Sequence, residues 1–137
     1  MRMLLLLALC AIFLLQGCGV TKDISAAQKE IIHFHAQLDA GKYADIYDQA
    51  SPTLKKASSK SDFIDLLSAI HRKIGLVKSS TESAWNINST LAGTFVTLSY
   101  HTEYAGGGAD EQFVYQIKNK TATLVGYHIN SMALIIK

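Results

Sequence analysis

The first half of the chain carries apolar residues at helical spacing. One stripe runs through Ala27, Ile31, Phe34 and Leu38, at intervals of three or four. We expect a helix here that begins near Ser25, because Ser25-Ala26-Ala27-Gln28 has the form of a capping box. Gly41 follows the last apolar position and supplies the stop.

Further helical segments are predicted before residue 76. A short helix covers residues 43–49, and Ser51-Pro52 suits the cap and first turn of a brief helical turn that runs to Lys56. After a polar break, a stronger apolar stripe contains Phe63, Leu66, Leu67, Ile70 and Ile74. This stripe predicts a third main helix, which ends at Gly75.

In the second half, the apolar pattern changes to a period of two. It predicts strands at about residues 78–90, 94–105, 111–118 and 122–131. Turn signals separate these strands at Ala92-Gly93, Gly106-Gly107-Gly108 and Asn119-Lys120. We therefore expect an α+β domain in which three N-terminal helices pack on one face of a four-stranded antiparallel meander.

The predicted turns also set which residues share a face of the sheet. They bring Trp85, Tyr100, Tyr115 and Leu124 into one row, with Ile87, Leu98 and Ile117 in the next. The aromatic members of the first row would line any ligand cavity on this inner face. Trp85, Tyr100 and Tyr115 are therefore ligand-binding candidates.

An apolar run from Leu4 to Leu15 follows the single positive charge of Arg2. Twelve helical residues rise only about 18 Å, which is too short to span a bilayer and is typical of a signal segment. The next residues, Leu15-Gln16-Gly17-Cys18, resemble the lipobox of bacterial lipoproteins. The resemblance implies cleavage before Cys18 and acylation of that cysteine. The alternative is an ordinary secretory signal cut near Gly17, which leaves a free thiol.

This interpretation divides the chain into three parts. Residues 1–17 form the signal peptide, residues 18–24 a lipidated tether, and residues 25–137 the folded domain. The six residues from Gly19 to Ile24, between the lipidated cysteine and the folded domain, span about 20 Å at most when extended, so the domain should stay close to the headgroups. Gly19 follows the cysteine where inner-membrane lipoproteins of enteric bacteria carry Asp, so we expect an outer-membrane protein that faces the periplasm.

Cysteine content and charge narrow the possible functions. Cys10 and Cys18 are the only cysteines, so the processed chain cannot form an internal disulfide. Loss of the signal removes only Arg2 and leaves 12 Lys and Arg against 11 Asp and Glu. This balance, without a basic stripe, argues against nucleic acid as a partner. A small patch at Lys55, Lys56 and Lys60 is either a solvated face or a membrane-facing one.

Three stretches of the predicted fold carry a family resemblance. They are Tyr43-Ala44-Asp45-Ile46-Tyr47, Trp85-Asn86-Ile87-Asn88 and Gly126-Tyr127-His128-Ile129-Asn130. With the element order, they resemble small bacterial proteins of the nuclear transport factor two-like (cystatin-like) superfamily. The resemblance implies a cone-shaped fold whose concave face binds a ligand, and dimerisation through the outer face of the sheet. It implies no single reaction, because that superfamily contains enzymes, transport adaptors and secretion-system subunits.

The predicted register places Tyr104, Glu111 and His128 together at the open end of the inner face. A glutamate can hold an imidazole in one tautomer and raise its basicity, and a tyrosine can donate to a developing oxyanion. These residues are the candidates for an acid–base site. The alternatives are a polar pocket rim and a purely structural cluster at the end of the sheet.

No pattern in the sequence indicates a metal or cofactor. His33 and His35 lie two apart on a helix, so they project about 200° from each other and cannot share an ion. No HExxH or CxxC spacing occurs. We therefore expect neither a metal nor a cofactor.

The outer face of the predicted sheet is apolar enough to suggest a partner. Its apolar members are Phe95, Val114, Val125, Tyr127 and Ile129. The apolar C-terminus, residues 132–136, should either extend the last strand or cover part of the core. The sequence thus favours a membrane-anchored bacterial envelope lipoprotein that acts as a non-catalytic binding or assembly module, with a homodimer or an envelope protein as partner. The alternative is a small lyase or isomerase that uses His128, Glu111 and Tyr104.

Overall fold

A computed structural model of the protein describes residues 17–136. The predicted signal peptide, residues 1–17, lies outside the described residues except for Gly17. In chain order the elements are α1 (Gly17–Asp39), α2 (Tyr43–Gln49), α3 (Pro52–Ala57), α4 (Lys60–Ile74), β1 (Val77–Thr90), β2 (Gly93–Tyr104), β3 (Gly107–Lys118), β4 (Thr121–Asn130) and α5 (Met132–Ile136). The predicted α+β class and the four-stranded antiparallel meander are confirmed, with strand order β1-β2-β3-β4.

Helix α1 starts earlier than predicted. It begins at Gly17, so Ser25 lies inside the helix and the predicted capping box does not mark its start. Residues 18–24, predicted as a tether outside the folded domain, are helical. Ile24 and Ala26 pack against the core, and this tertiary contact favours the longer helix. No described helix is long and apolar enough to cross a membrane.

The next three helices follow the predicted pattern closely. The brief turn expected after Pro52 forms the six-residue helix α3, so four helices rather than three precede the sheet. Its cap is Ser51, whose side chain accepts a hydrogen bond from the amide of Leu54. Helix α4 is capped in the same way by Ser59 and ends at Gly75, where φ is 78°.

The strands pair in a different register from the predicted rows. The β1–β2 turn is Leu91–Ala92, one residue earlier than expected, so Trp85 lies opposite Leu98 rather than Tyr100. Tyr100 in turn lies opposite Glu111 rather than Tyr115. Both shifts are even in number, so these residues still share the inner face. The predicted pairing of Tyr115 with Leu124 is confirmed.

A one-residue bulge in β4 reverses the facing of the last strand. Tyr115 lies opposite Leu124, but the preceding Val114 lies opposite Gly126, which leaves Val125 as the extra residue. Beyond this point, inward and outward positions are exchanged. Tyr127 therefore faces the helices, and its predicted outward orientation is wrong. The register turns Ile129 inward as well, and Ile129 packs against the core.

Aromatic rings fill the space between α1 and the sheet. Phe34 of α1 contacts Phe113 at a centroid distance of 5.1 Å and Tyr127 at 4.8 Å. The C-terminal residues form α5 instead of extending β4. Because Ala133 and Leu134 pack against the core, the predicted covering role of this segment is confirmed.

Candidate functional site

The buried carboxylate of Glu111 is the centre of the polar cluster on the inner face. Glu111 lies in β3 and is 2% exposed. Its Oε1 accepts hydrogen bonds from the hydroxyls of Tyr104, at 2.7 Å, and Tyr127, at 2.6 Å. His35 of α1 contacts Oε2 through Nε2 at 2.8 Å. One helix and three strands thus each contribute one member of this Glu111 cluster.

Two of the three residues predicted for an acid–base site meet in this cluster. Tyr104 and Glu111 are hydrogen-bonded, whereas His128 is exposed and lies opposite Gln112 on the outer face of the sheet. The bulge at Val125 is the reason, because it turns His128 away from Glu111. The predicted trio of Tyr104, Glu111 and His128 is therefore not assembled.

The imidazole of the cluster comes instead from His35, which the sequence analysis considered only as a metal ligand. The available signal was helical spacing. His35 follows Ile31 by four residues and Phe34 by one, and it precedes Leu38 by three, so it lies on the core-facing stripe of α1. Its contact with Glu111, 76 residues away in the chain, depends on how α1 docks on the sheet.

The electrostatics of the cluster favour a fixed negative charge. Burial alone would raise the pKa of Glu111, but the hydrogen bond and charge interaction with His35, with hydrogen bonds from Thr102 and Tyr127, outweigh burial and lower that pKa. Since an ionised carboxylate only accepts hydrogen bonds, His35 must carry a proton on Nε2. Burial, reinforced by the Glu111 charge, raises the pKa of Tyr104 far above its ordinary value.

These shifts suit a structural cluster better than a catalytic one. A general base works best with a pKa near the working pH, whereas that of Glu111 is lowered and its carboxylate is occupied by donors. Tyr104 and Tyr127 hold their protons firmly because their pKa values are raised. Among the described residues, no group of three His, Cys, Asp or Glu side chains could hold a metal ion.

A shallow groove of about 490 Å³ lies beside the cluster, between α1 and β1. It is lined by Gln28, Ile31, Ile32, His35, Ser80, Thr81, Glu82 and Tyr100. Glu82 accepts hydrogen bonds from Gln28, at 2.8 Å, and from Tyr100, at 3.3 Å. Burial, then the charge and hydrogen bond of Glu82, raise the pKa of Tyr100 to about 12.

The three predicted ligand-binding aromatics are not gathered in one cavity. Tyr100 lines the groove, while Tyr115 is 2% exposed and lies beside a separate space of about 30 Å³, room for a single water. Trp85 faces inward on the edge strand β1 but remains 54% exposed. Its exposure shows that the helices leave this part of β1 uncovered.

The outer face carries a second polar cluster that the sequence analysis missed. The imidazole of His101 contacts Asp110 through Nδ1 and Glu103 through Nε2, each at 2.9 Å. The hydrogen bonds to Asp110 and then to Glu103 raise the pKa of His101. The His101–Asp110 pair follows from the β2–β3 register, which places these residues opposite each other.

Comparison with known families gives one match. Residues 32–127 match the family described as Protein of unknown function (DUF4019). The chain belongs to the DUF4019 family. The matched segment runs from the middle of α1 into β4, so it includes every member of the Glu111 cluster. No curated protein matches this DUF4019 chain.

Proposed function

We propose that this DUF4019 protein is a lipid-anchored lipoprotein of the bacterial envelope that acts as a non-catalytic binding or assembly module. The observation that carries the non-catalytic part is the Glu111 cluster. Its carboxylate is buried and already bound by Tyr104, Tyr127 and His35. The inner face is therefore used for packing, and the outer surfaces are available for partners.

The fold proposal is the cone of the nuclear transport factor two-like superfamily. The order of elements supports it, since the main helices precede an antiparallel meander and pack on its inner face. The bulge at Val125 also supports it, because bulges bend the strand that carries them and so curve a sheet. The space that would form the inside of such a cone is occupied by the rings of Phe34, Phe113 and Tyr127.

The anchor proposal rests on Leu15-Gln16-Gly17-Cys18. Acylation of Cys18 would place the start of α1 at the lipid, and Gly19 at the next position favours the outer membrane, facing the periplasm. More than one acyl chain is needed for stable anchoring, and an acylated lipoprotein cysteine meets that need.

The proposed partner surface is the outer face of the sheet. Phe95, Val114 and Val125 remain on this face and are only partly buried. Tyr127 and Ile129 do not belong to it, which makes the apolar patch smaller than the sequence suggested. A homodimer or an envelope protein would cover these three side chains. Changing Val114 to Lys should then reduce assembly without affecting the buried core.

Palmitate labelling in the bacterial host tests the anchor. The wild-type protein should incorporate labelled acyl chains and sediment with membranes, while Cys18→Ser should lose the label. Cys10→Ser is the matched control, since it removes the other cysteine of the chain and should keep the label. Equal labelling of the wild type and Cys18→Ser, or no label in either, would contradict the proposal.

A further inference from the structure

One end of the domain gathers the start of α1 and two hairpin turns. The turns are Leu91–Ala92, between β1 and β2, and Asn119–Lys120, between β3 and β4. They lie at the same end of the sheet because Thr94, just after the first turn, is opposite Ile117, just before the second. The α1 residues from Thr21 to Glu30 border the second turn, since both line one surface depression. We call this part of the molecule the hairpin end.

The hairpin end carries a surplus of positive charge. Its lysines are Lys22, Lys29, Lys118 and Lys120, and all four are exposed. The carboxylates nearby on α1 are Asp23 and Glu30. Among the described residues, no ion pair holds any of the four lysines. By contrast, Lys55 and Lys60 of the predicted basic patch are hydrogen-bonded to Asp48.

An apolar side chain projects from the same end. Leu91 occupies the tip of the β1–β2 hairpin and is fully exposed. The turn is held by Thr90, whose hydroxyl accepts from the amide of Ala92 and donates to the carbonyl of Gly93. A single exposed leucine is common in proteins. This one is notable because a tight turn holds it at the same end of the domain as the four lysines.

The continuous helix α1 fixes how far this surface lies from the proposed anchor. Ser25, which borders the depression, is seven residues from Cys18, or about 10 Å along the helix axis. That distance is about one Debye length at an ionic strength of roughly 0.1 M. Lysines at this range interact with anionic headgroups, as juxtamembrane basic residues do.

We propose that the hairpin end lies against the bilayer, with its lysines on anionic lipid headgroups and Leu91 in the interface. This inference rests on the proposed acylation of Cys18 and goes beyond it, because it assigns the domain one orientation on the membrane. The bilayer is favoured over a protein partner because the anchor would begin at this same end. Charge complementarity gives the second reason.

Tryptophan fluorescence in vesicles tests the orientation. Trp85 is the only tryptophan of the chain, so Trp85→Phe provides a silent background. In that background, Leu91→Trp reports on the hairpin end. Leu76→Trp reports on the opposite end of the sheet, where Leu76 is 50% exposed just before β1. The protein is expressed from its full sequence so that the host processes and acylates it, and the lipidated form is purified. It is reconstituted in phosphatidylcholine vesicles, with or without phosphatidylglycerol, that contain brominated lipid as quencher.

The expected result is strong quenching of Leu91→Trp that increases with phosphatidylglycerol and decreases with salt, and little quenching of Leu76→Trp. Lys118→Gln combined with Lys120→Asn should reduce the ratio of membrane-contacting to free domains about thirty-fold, since each lysine near the surface contributes roughly a factor of five. Asn suits position 120 because the backbone there has a φ of 64°. The matched control is Lys42→Gln with Lys78→Gln, the same charge change at two exposed lysines of the opposite end, where the end of α1 meets the start of β1.

Each other outcome overturns the inference in a recognisable way. If the protein is acylated by mass and bound to vesicles but Leu91→Trp is not quenched, the orientation is wrong while the lipoprotein proposal stands. If Leu91→Trp is shielded in a concentration-dependent manner in both lipids, a second copy covers this end. If Cys18 carries no acyl group, the proposed function and the inference both fail. Circular dichroism of each variant verifies that it is folded.

Discussion

At the scale of single residues, Glu111 shows how a buried charge is kept stable. The carboxylate has no contact with bulk water and instead accepts hydrogen bonds from two tyrosines and a histidine. Charge-assisted hydrogen bonds of this kind are roughly twice as strong as neutral ones. Removing any donor leaves part of a buried charge unsatisfied, so these donors should matter more to stability than similar groups at the surface.

Replacing Tyr104 by Phe tests this expectation. The change removes a 2.7 Å hydrogen bond to a buried carboxylate and should lower the free energy of unfolding by about 1.5–3 kcal/mol. Tyr100→Phe is the matched control, because it removes a longer bond of 3.3 Å to the half-buried Glu82 and should lower it by about 1 kcal/mol or less. Urea denaturation measures both. Equal losses of unfolding free energy in the two variants would show that the hydrogen bond to buried Glu111 is no stronger than the one to Glu82.

The sequence predicted part of this cluster. Tyr104 and Glu111 were expected on one face because alternation along β2 and β3 depends only on local parity. His35 was not assigned to the cluster, although its position on the apolar stripe of α1 indicated that it faces the core. Which sheet residue it meets depends on the docking of α1, and no local pattern encodes that contact.

At the scale of elements, one extra residue in β4 decides which side chains are inside. Val125 separates Leu124 from Gly126 without a partner of its own in β3. The result places Tyr127 under α1 and His128 on the outer face. The same strand without the bulge would present the opposite set of side chains to the core.

Deletion of Val125 together with Gly126 should exchange these two sets, because Tyr127 would then follow Leu124 directly and take the outward position opposite Val114. Tyr127 would leave Glu111 and Phe34, and the imidazole of His128 would enter the core, so we expect a loss of about 3–5 kcal/mol, comparable with the whole stability of a small domain. Gly126→Ala is the control at the same bulge, because an added methyl meets Val114 at an ordinary contact distance of 3.8 Å. Thermal unfolding compares the two. A double-deletion variant as stable as the wild type would mean that the facing of Tyr127 and His128 does not matter to the core, whereas deletion of Val125 alone should keep the observed pairing and cost much less.

The facing of β4 differs from the prediction for a physical reason. The turns at Leu91–Ala92 and before Gly107 lie at other positions than predicted. Each difference changes the strand pairing by an even number of residues, so the predicted facing of β1 to β3 is unchanged. The bulge in β4 changes the pairing by one residue, which is an odd number, and therefore reverses the facing of the residues that follow it. Gly126 within the strand was the available sign, since glycine in a strand interior often marks a bulge. The start of α1 was missed because core contacts at Ile24 and Ala26 extended the helix past its local cap signal.

At the scale of the whole molecule, the core contains tyrosines that must stay neutral. Tyr104, Tyr115 and Tyr127 come from three different strands. Burial raises the pKa of each above the ordinary tyrosine value, and nearby carboxylates raise it further. The folded state therefore holds protons that the unfolded chain releases in alkaline solution.

Stability should consequently fall as the pH rises through about 10, the ordinary tyrosine pKa. Above that value the unfolded state binds fewer protons than the folded state, so the free energy of unfolding decreases with pH. Urea midpoints measured from neutral to alkaline pH report the decrease. Tyr127→Phe should show a shallower alkaline slope than the wild type, although it is less stable at neutral pH. A wild-type stability that stays constant from neutral pH to about pH 12, which is the raised pKa of Tyr100, would contradict the assignment.

The helical character of residues 18–24 has one more consequence. An extended, flexible tether would limit only the distance between the anchor and the domain, so changes in its composition or number of residues would have little effect. A rigid helix also transmits rotation, since each inserted or deleted residue turns everything beyond it by about 100°. If Cys18 carries the proposed acyl chains, the number of residues between Cys18 and Ser25 would set the rotation of the domain about the axis of α1, and so the surface that it turns toward the membrane. Insertions of three or four residues add about one helical turn and would nearly restore the original orientation. Single insertions would change which surface faces the lipid.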